Sequence, residues 1–255
     1  MRRRFHALCV YLILAGASSA HAAINYQDLW WVGPSENGWG INLSHQANTL
    51  FATWFIYGAN SQPLWLVMSN AQRSGATGNT FVGELFQTTG TPFSVTPFAP
   101  LQGSNVTKVG TATFVFLDAR GGTLSYTVNG ATVVKQITRQ PLENINLTGT
   151  YYGGLFRTAA CVNSGVSNSI YSITHTPSTG TANITEVGGN LCRFTGTLNQ
   201  FGSIFEGSGT YSCPPDVGNW TGTEGTGGES TFSIKLTLQT GAGICTATLG
   251  GFKSP

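Results

Sequence analysis

Only 9% of the 255 residues are charged while 34 are Gly, and Lys, Glu and Ala never group at a 3.6-residue period, so long amphipathic helices are excluded. The formal charge of +2 rests on Arg2, Arg3 and Arg4. Without them nine basic residues face ten acidic ones, a near-neutral balance that excludes nucleic acid or an anionic membrane as the main partner.

The basic start is followed by an apolar run from Ala7 to Ala17, too short to span a bilayer. Ala20, His21 and Ala22 then supply the small-x-small pattern of a cleavage site, so residues 1–22 read as a signal peptide and the mature chain is expected to start at Ala23. No cysteine follows that site, which argues against a lipid anchor. No later apolar run approaches membrane-helix length, so a secreted or periplasmic protein without a transmembrane segment is expected.

The rest is rich in Gly, Thr, Ser, Asn and aromatics, the residues of short strands and tight turns. Residues 23–140 divide into strands at Leu29–Val32, Trp39–Gln46, Leu50–Tyr57, Leu64–Asn70, Thr80–Gln87, Gly110–Leu117, Thr123–Val128 and Ala131–Arg139. Asn129-Gly130 is the pair preferred by two-residue hairpins and sets Val128 opposite Ala131 and Tyr126 opposite Val133. Pro92, Pro97 and Pro100 predict a long surface loop over Thr91–Pro100. Residues 141–146 read as a linker.

From 147 to 255 a second series follows, at Thr150–Arg157, Ser169–His175, Thr181–Val187, Leu191–Leu198, Ile204–Ser212, Thr231–Leu238 and Ile244–Phe252. The Gly- and Thr-rich stretch Pro214–Glu229 is predicted to be a mobile loop. The fold class expected is all-β, with two tandem antiparallel barrel or sandwich units in a mostly up-and-down meander.

Beyond Cys9 in the leader, the cysteines are Cys161, Cys192, Cys213 and Cys245. In an oxidising compartment they read as two disulfides, for which three pairings exist. A simple hairpin through Asn199–Ser203 sets Phe194 opposite Tyr211, Gly196 opposite Gly209 and Cys192 opposite Cys213, a separation a disulfide bridges. Cys161 is then left with Cys245, a first-to-last link suited to a closed barrel. No Cys-x-x-Cys or His-x-x-His spacing accompanies them, so no metal or other cofactor is expected.

The two halves echo each other. Leu29-Trp30-Trp31 and Ile137-Thr138-Arg139 bound the first, Thr150-Tyr151-Tyr152 and Gly251-Phe252-Lys253 the second. An aromatic on the first strand capped by a cation from the last resembles the closing arrangement of lipocalin-like and avidin-like barrels.

Asp28–Ser69 holds five of the six tryptophans. Period-two reading puts Leu50, Ala52, Trp54 and Ile56 on one face of a strand and Phe51, Thr53, Phe55 and Tyr57 on the other, and likewise separates Trp65 and Val67 from Leu64, Leu66 and Met68. Both faces are apolar, so the ribbon is covered on both sides or serves a site as well as a core. Trp30 and Trp31 point opposite ways, leaving at least one away from the interior. The candidate ligand-binding residues are Trp30, Trp31, Glu36, Trp39, His45, Trp54, Tyr57 and Trp65, since flat rings stack on sugars and line apolar pockets. For His45, Glu36 and Asp28 a structural role is the leading reading.

The runs Asp28-Leu29-Trp30-Trp31, Pro34-Ser35-Glu36-Asn37-Gly38-Trp39-Gly40, His45-Gln46, Phe51-Ala52-Thr53-Trp54-Phe55 and Pro63-Leu64-Trp65-Leu66-Val67-Met68-Ser69 resemble a domain of unassigned function in many exported bacterial proteins. The resemblance extends to about Gln140 and implies no reaction.

Catalytic templates are missing: there is no Gly-x-Ser-x-Gly, His-Glu-x-x-His or Gly-Lys-Thr. Ser44 or Ser69 with His45 and Asp28, or Glu36 with Glu84, are combinations that spacing does not select. The function expected is a non-catalytic binding module for a glycan or small apolar ligand. The alternatives are a structural or surface protein-interaction role, for which no protein partner is identified, and a hydrolase with an unrecognised site.

Overall fold

The computed structural model describes residues 24–75, 78–161, 163–188, 191–241 and 243–254. The expected signal peptide lies outside them. The first eight strands are β1 (Asp28–Trp31), β2 (Gly40–Gln46), β3 (Thr49–Tyr57), β4 (Pro63–Ser74), β5 (Thr80–Thr88), β6 (Val106–Phe116), β7 (Gly121–Val128) and β8 (Ala131–Arg139). Each pairs antiparallel with its sequence neighbours, and β1 closes on β8 with Trp30 opposite Arg139. The second eight are β9 (Gly149–Arg157), β10 (Gly165–Thr176), β11 (Thr181–Val187), β12 (Arg193–Phe201), β13 (Ile204–Cys213), β14 (Asp216–Gly227), β15 (Thr231–Thr240) and β16 (Gly243–Lys253). They close in the same way, with Tyr151 opposite Lys253. The all-β fold is therefore two up-and-down barrels, which leave no open sheet edge.

An eight-stranded barrel is just wide enough to be filled by side chains. Trp30, Trp54, Phe81, Phe114 and Phe116 fill the first and are fully buried, each contributing roughly 1.5–3 kcal/mol by leaving water. The period-two reading of β3 holds: Leu50, Ala52 and Trp54 point inward, while Phe51, Phe55 and Tyr57 remain exposed.

Both barrels are plugged at one end by the same device. The Tyr26 backbone N–H donates to His45 Nδ1 at 3.2 Å, and Trp30 Nε1 donates to the Tyr26 carbonyl at 3.0 Å. Tyr26 stacks on Phe116 with centroids 3.7 Å apart. In the second barrel Leu147 N–H donates to His175 Nδ1 at 3.3 Å, and Tyr151 Oη donates to the Leu147 carbonyl at 2.9 Å. Trp30 lies opposite Ile41 and Tyr151 opposite Tyr171, so each histidine sits four residues beyond its partner strand's matching position. Trp30 and Tyr151, the first-strand aromatics of the sequence echo, thus hold equivalent places in a repeated end-plug.

One predicted loop is corrected. Pro214–Glu229 is not a mobile connection, because Asp216–Gly227 forms β14 between β13 and β15. Its threonines Thr221 and Thr223 face outward, and inward positions are taken by Trp220 and glycine. A Cβ on Gly222 would lie 2.4 Å from Ile234 Cδ1, so glycine here makes room for a neighbour's side chain. Composition alone hid a strand whose inward glycine positions are filled by side chains of the adjacent strands β13 and β15 and by Leu147. The Thr91–Pro100 expectation fares differently: those residues form an irregular connection between β5 and β6, with Phe93 99% exposed.

The predicted hairpin register is found, with Phe194 opposite Tyr211 and Gly196 opposite Gly209. Two disulfides follow, Cys192–Cys213 with Cα atoms 4.1 Å apart and Cys161–Cys245 with Cα atoms 5.0 Å apart.

A hairpin turn of the second barrel docks against the start of the first. The Ser203 N–H and Oγ both donate to Asp28 Oδ2, at 2.8 and 2.9 Å. The same oxygen accepts from Arg139 at 2.9 Å. Gly202, at φ +57°, lies beneath the carboxylate, where a Cβ would come within 2.4 Å of Asp28 Oδ2. Arg139 also donates to the carbonyls of Asn25, Gln27 and Ala119, and its guanidinium lies 5.0 Å from the Trp30 ring centroid. One residue thus closes the first barrel and orients the acceptor for the second.

Candidate functional site

The eight candidate binding residues divide between inside and outside. Trp30 and Trp54 are 0% exposed and belong to the core. Trp31, next in register to the Trp30–Ile41 pair, comes beside Gly40 on the outer face. Gly40 lies opposite Phe55, and Phe55 opposite Trp65. Four adjacent strands therefore carry the outward row Trp31, Gly40, Phe55, Trp65, with Phe55 52% and Trp65 51% exposed. Gly40 leaves a gap between flanking rings. Tyr57, two residues along β3, is 60% exposed and its ring approaches Gly38.

The gap opens into a surface cleft of about 260 Å³ lined by Trp31, Trp39 and Phe55 and by the amide-bearing side chains Asn37, Asn42 and Gln140. It contains no ionisable side chain. Such a cleft offers apolar faces for stacking and neutral donors and acceptors at its rim.

Glu36 supports this wall. Its Oε2 accepts from Trp39 Nε1 at 3.1 Å and from Lys135 Nζ at 2.6 Å, while Lys135 Nζ lies 5.8 Å from the Trp39 ring centroid. The Lys135 hydrogen bond, helped by that from Trp39, holds the carboxyl below its ordinary range. Glu36 thus fixes the Trp39 ring. The 3-10 turn Pro34–Glu36 puts it there, with Pro34 pre-set for the turn.

His45 is committed to the fold. Nδ1 accepts from Tyr26 N–H, so the proton sits on Nε2, which is 3.0 Å from the Ala47 carbonyl. Burial pushes its pKa below the ordinary value, with Arg73 adding to the effect and the Ala47 bond opposing it. A serine–histidine–aspartate relay through His45 and Asp28 is not assembled, because the Asp28 carboxylate is bonded to Arg139, Ser203 and Leu29. Glu36 and Glu84 are each ion-paired with a lysine of their own, Lys135 and Lys108.

Phe55, Asn37, Asn42 and Gln140 join the cleft without having been singled out in the sequence. Phe55 shares a strand face with Tyr57, a signal already present in the period-two reading. The amides had none, because only strand register and the barrel's closure bring Gln140 beside Leu29 of β1, with Asn42 on that residue's other side. Among the described residues no group of three or more His, Cys, Asp or Glu side chains is placed to hold a metal ion, and no helix is long and apolar enough to cross a membrane. Comparison with protein-family profiles and with characterised proteins returns no match to this sequence.

Proposed function

We propose that this is an exported, non-catalytic binding protein whose outer aromatic row on the first barrel takes a neutral carbohydrate. The observation that carries the reading is the registered row Trp31, Gly40, Phe55, Trp65 beside an uncharged, amide-rimmed cleft. A small apolar ligand needs the rings alone; the three amides favour a molecule dense in hydroxyls. The filled first barrel also directs attention outward, since Trp54 and Phe114 occupy space that a central calyx would need.

The test is a titration with neutral oligosaccharides followed by tryptophan emission and melting temperature. Saturable emission changes and a raised melting point support the reading. Trp65→Ala or Phe55→Ala should weaken binding about tenfold, a loss of about 1.4 kcal/mol, without lowering stability, since both side chains are half exposed. Unchanged emission and melting across the panel would refute it. A second reading, docking to another protein, draws on the exposed Phe93 and Phe98 of the Thr91–Pro100 loop; a mass that rises with concentration and falls in Phe93→Ser would favour it.

A further inference from the structure

The seam between the barrels encloses a larger space than the aromatic cleft, about 670 Å³, within the range of small-molecule sites. Its floor is the outer face of the second barrel. Thr223, Lys235, Thr248 and Phe156 form one cross-strand row over β14, β15, β16 and β9. Thr237 and Thr246 are paired in the next row. The Thr237 and Thr246 hydroxyls thus lie on adjacent strands at the spacing of about 4.8 Å, Lys235 separates Thr223 from Thr248, and Phe156, 49% exposed, gives an aromatic end wall. The roof comes from the first barrel, through Ile24 and the β6–β7 turn Asp118-Ala119-Arg120.

The charges of this space are unevenly satisfied. Asp118 accepts from Arg120 Nη2 at 2.6 Å and Nε at 3.0 Å, and from the backbone N–H groups of Arg120 and Gly121. Arg120 is thereby engaged, and Glu206 meets it at only 3.4 Å although the Glu206 side chain is 20% exposed. Burial raises the Glu206 pKa, with Arg120 only partly offsetting it. Lys235 is bonded to Glu224 at 2.5 Å. Three carboxylates line the space against two cations, which disfavours an anion. A half-buried carboxylate whose cation is shared lacks hydrogen-bond donors, and a hydroxyl-rich or ammonium-bearing ligand supplies them.

We infer that the inter-barrel groove is a second ligand site, for a neutral or cationic saccharide that stacks on Phe156, meets the threonine hydroxyls and donates to Glu206. The inference does not rest on the aromatic row of the first barrel.

The two sites report through different side chains, because tryptophans line the outer cleft and none lines the groove. The test follows threonine methyl resonances of the full mature chain during titration with glucosamine disaccharide, its N-acetylated neutral form and digalacturonic acid. Saturable shifts at Thr237, Thr246 and Thr248 with the first two, and at least tenfold weaker ones with the acid, are the expected result. Phe156→Ala should reduce those shifts' apparent affinity at least fivefold, and Glu206→Gln should weaken the cationic sugar more than the neutral one. Trp65→Ala should leave them unchanged. Absence of saturable shifts with both sugars, equal binding of the acid, or indifference to Phe156→Ala would overturn the inference and leave the seam a solvent-filled gap.

Discussion

Replacing Asp28 by Ala tests whether one carboxylate holds the first barrel closed. Its ion pair with Arg139 is shielded, the two side chains being 9% and 1% exposed. Removing one member of a buried pair costs about 3–5 kcal/mol when the remaining charge is left uncompensated. Arg139 keeps three carbonyl acceptors, from Asn25, Gln27 and Ala119, which places the loss at the low end, about 3 kcal/mol. Ser203 is exposed and exchanges its lost bonds for water, adding little. With a urea slope of about 2 kcal/mol/M, the midpoint should fall by about 1.5 M. Tryptophan emission is the proper probe, because five of the six tryptophans lie in the first barrel. Small-angle scattering should show an unchanged radius of gyration, because the Arg120–Glu206 pair and the Arg120–Phe201 contact still join the barrels. A midpoint shift equivalent to less than about 1 kcal/mol would mean that Asp28 behaves as a surface charge, and would refute the reasoning.

The disulfides should differ in worth because they close loops of different length, with sequence separations of 84 for Cys161–Cys245 and 21 for Cys192–Cys213. The chain-entropy relation gives about 4.6 and about 3.3 kcal/mol, so denaturation of the double Cys→Ala variants should show the larger loss for Cys161/Cys245; the reverse order would contradict it. Stability should also fall in mild acid through His45. Its folded pKa lies below the ordinary value of about 6.5, so the unfolded chain binds the proton first. This stabilisation is complete above about pH 6.5 and is lost as pH drops toward the folded value. The tryptophan-detected urea midpoint should therefore fall between pH 8 and pH 5 by more in the native protein than in His45→Gln, and equal falls would remove His45 as the cause.

Much of the architecture is legible in residue order because strand periodicity and hairpin pairing are local. Asn129-Gly130 is enough to place Tyr126 opposite Val133, and the same counting across Gly202 and Ser203 brings Cys192 to Cys213. The two apolar faces of β3 are equally evident from alternation. Which face turns inward is settled by closure of the barrel, since only the convex side of a closed sheet meets water. That is why Trp54 is core and Phe55 is surface although both are aromatic neighbours. β14 escapes local reading for a related reason: its inward glycines are complemented by Ile234, Phe205 and Leu147, residues distant in sequence. The amides of the aromatic cleft and the inter-barrel groove depend on two chains of contact, β1 to β8 and Asp28 to Ser203, that no short window contains. Sequence by itself determines every strand but β14, the disulfide pairing and the density of aromatic side chains, because those follow from near-neighbour sterics and pairing. Only tertiary structure decides which rings remain free and what surrounds them, because burial is a property of the closed barrel and its docked partner.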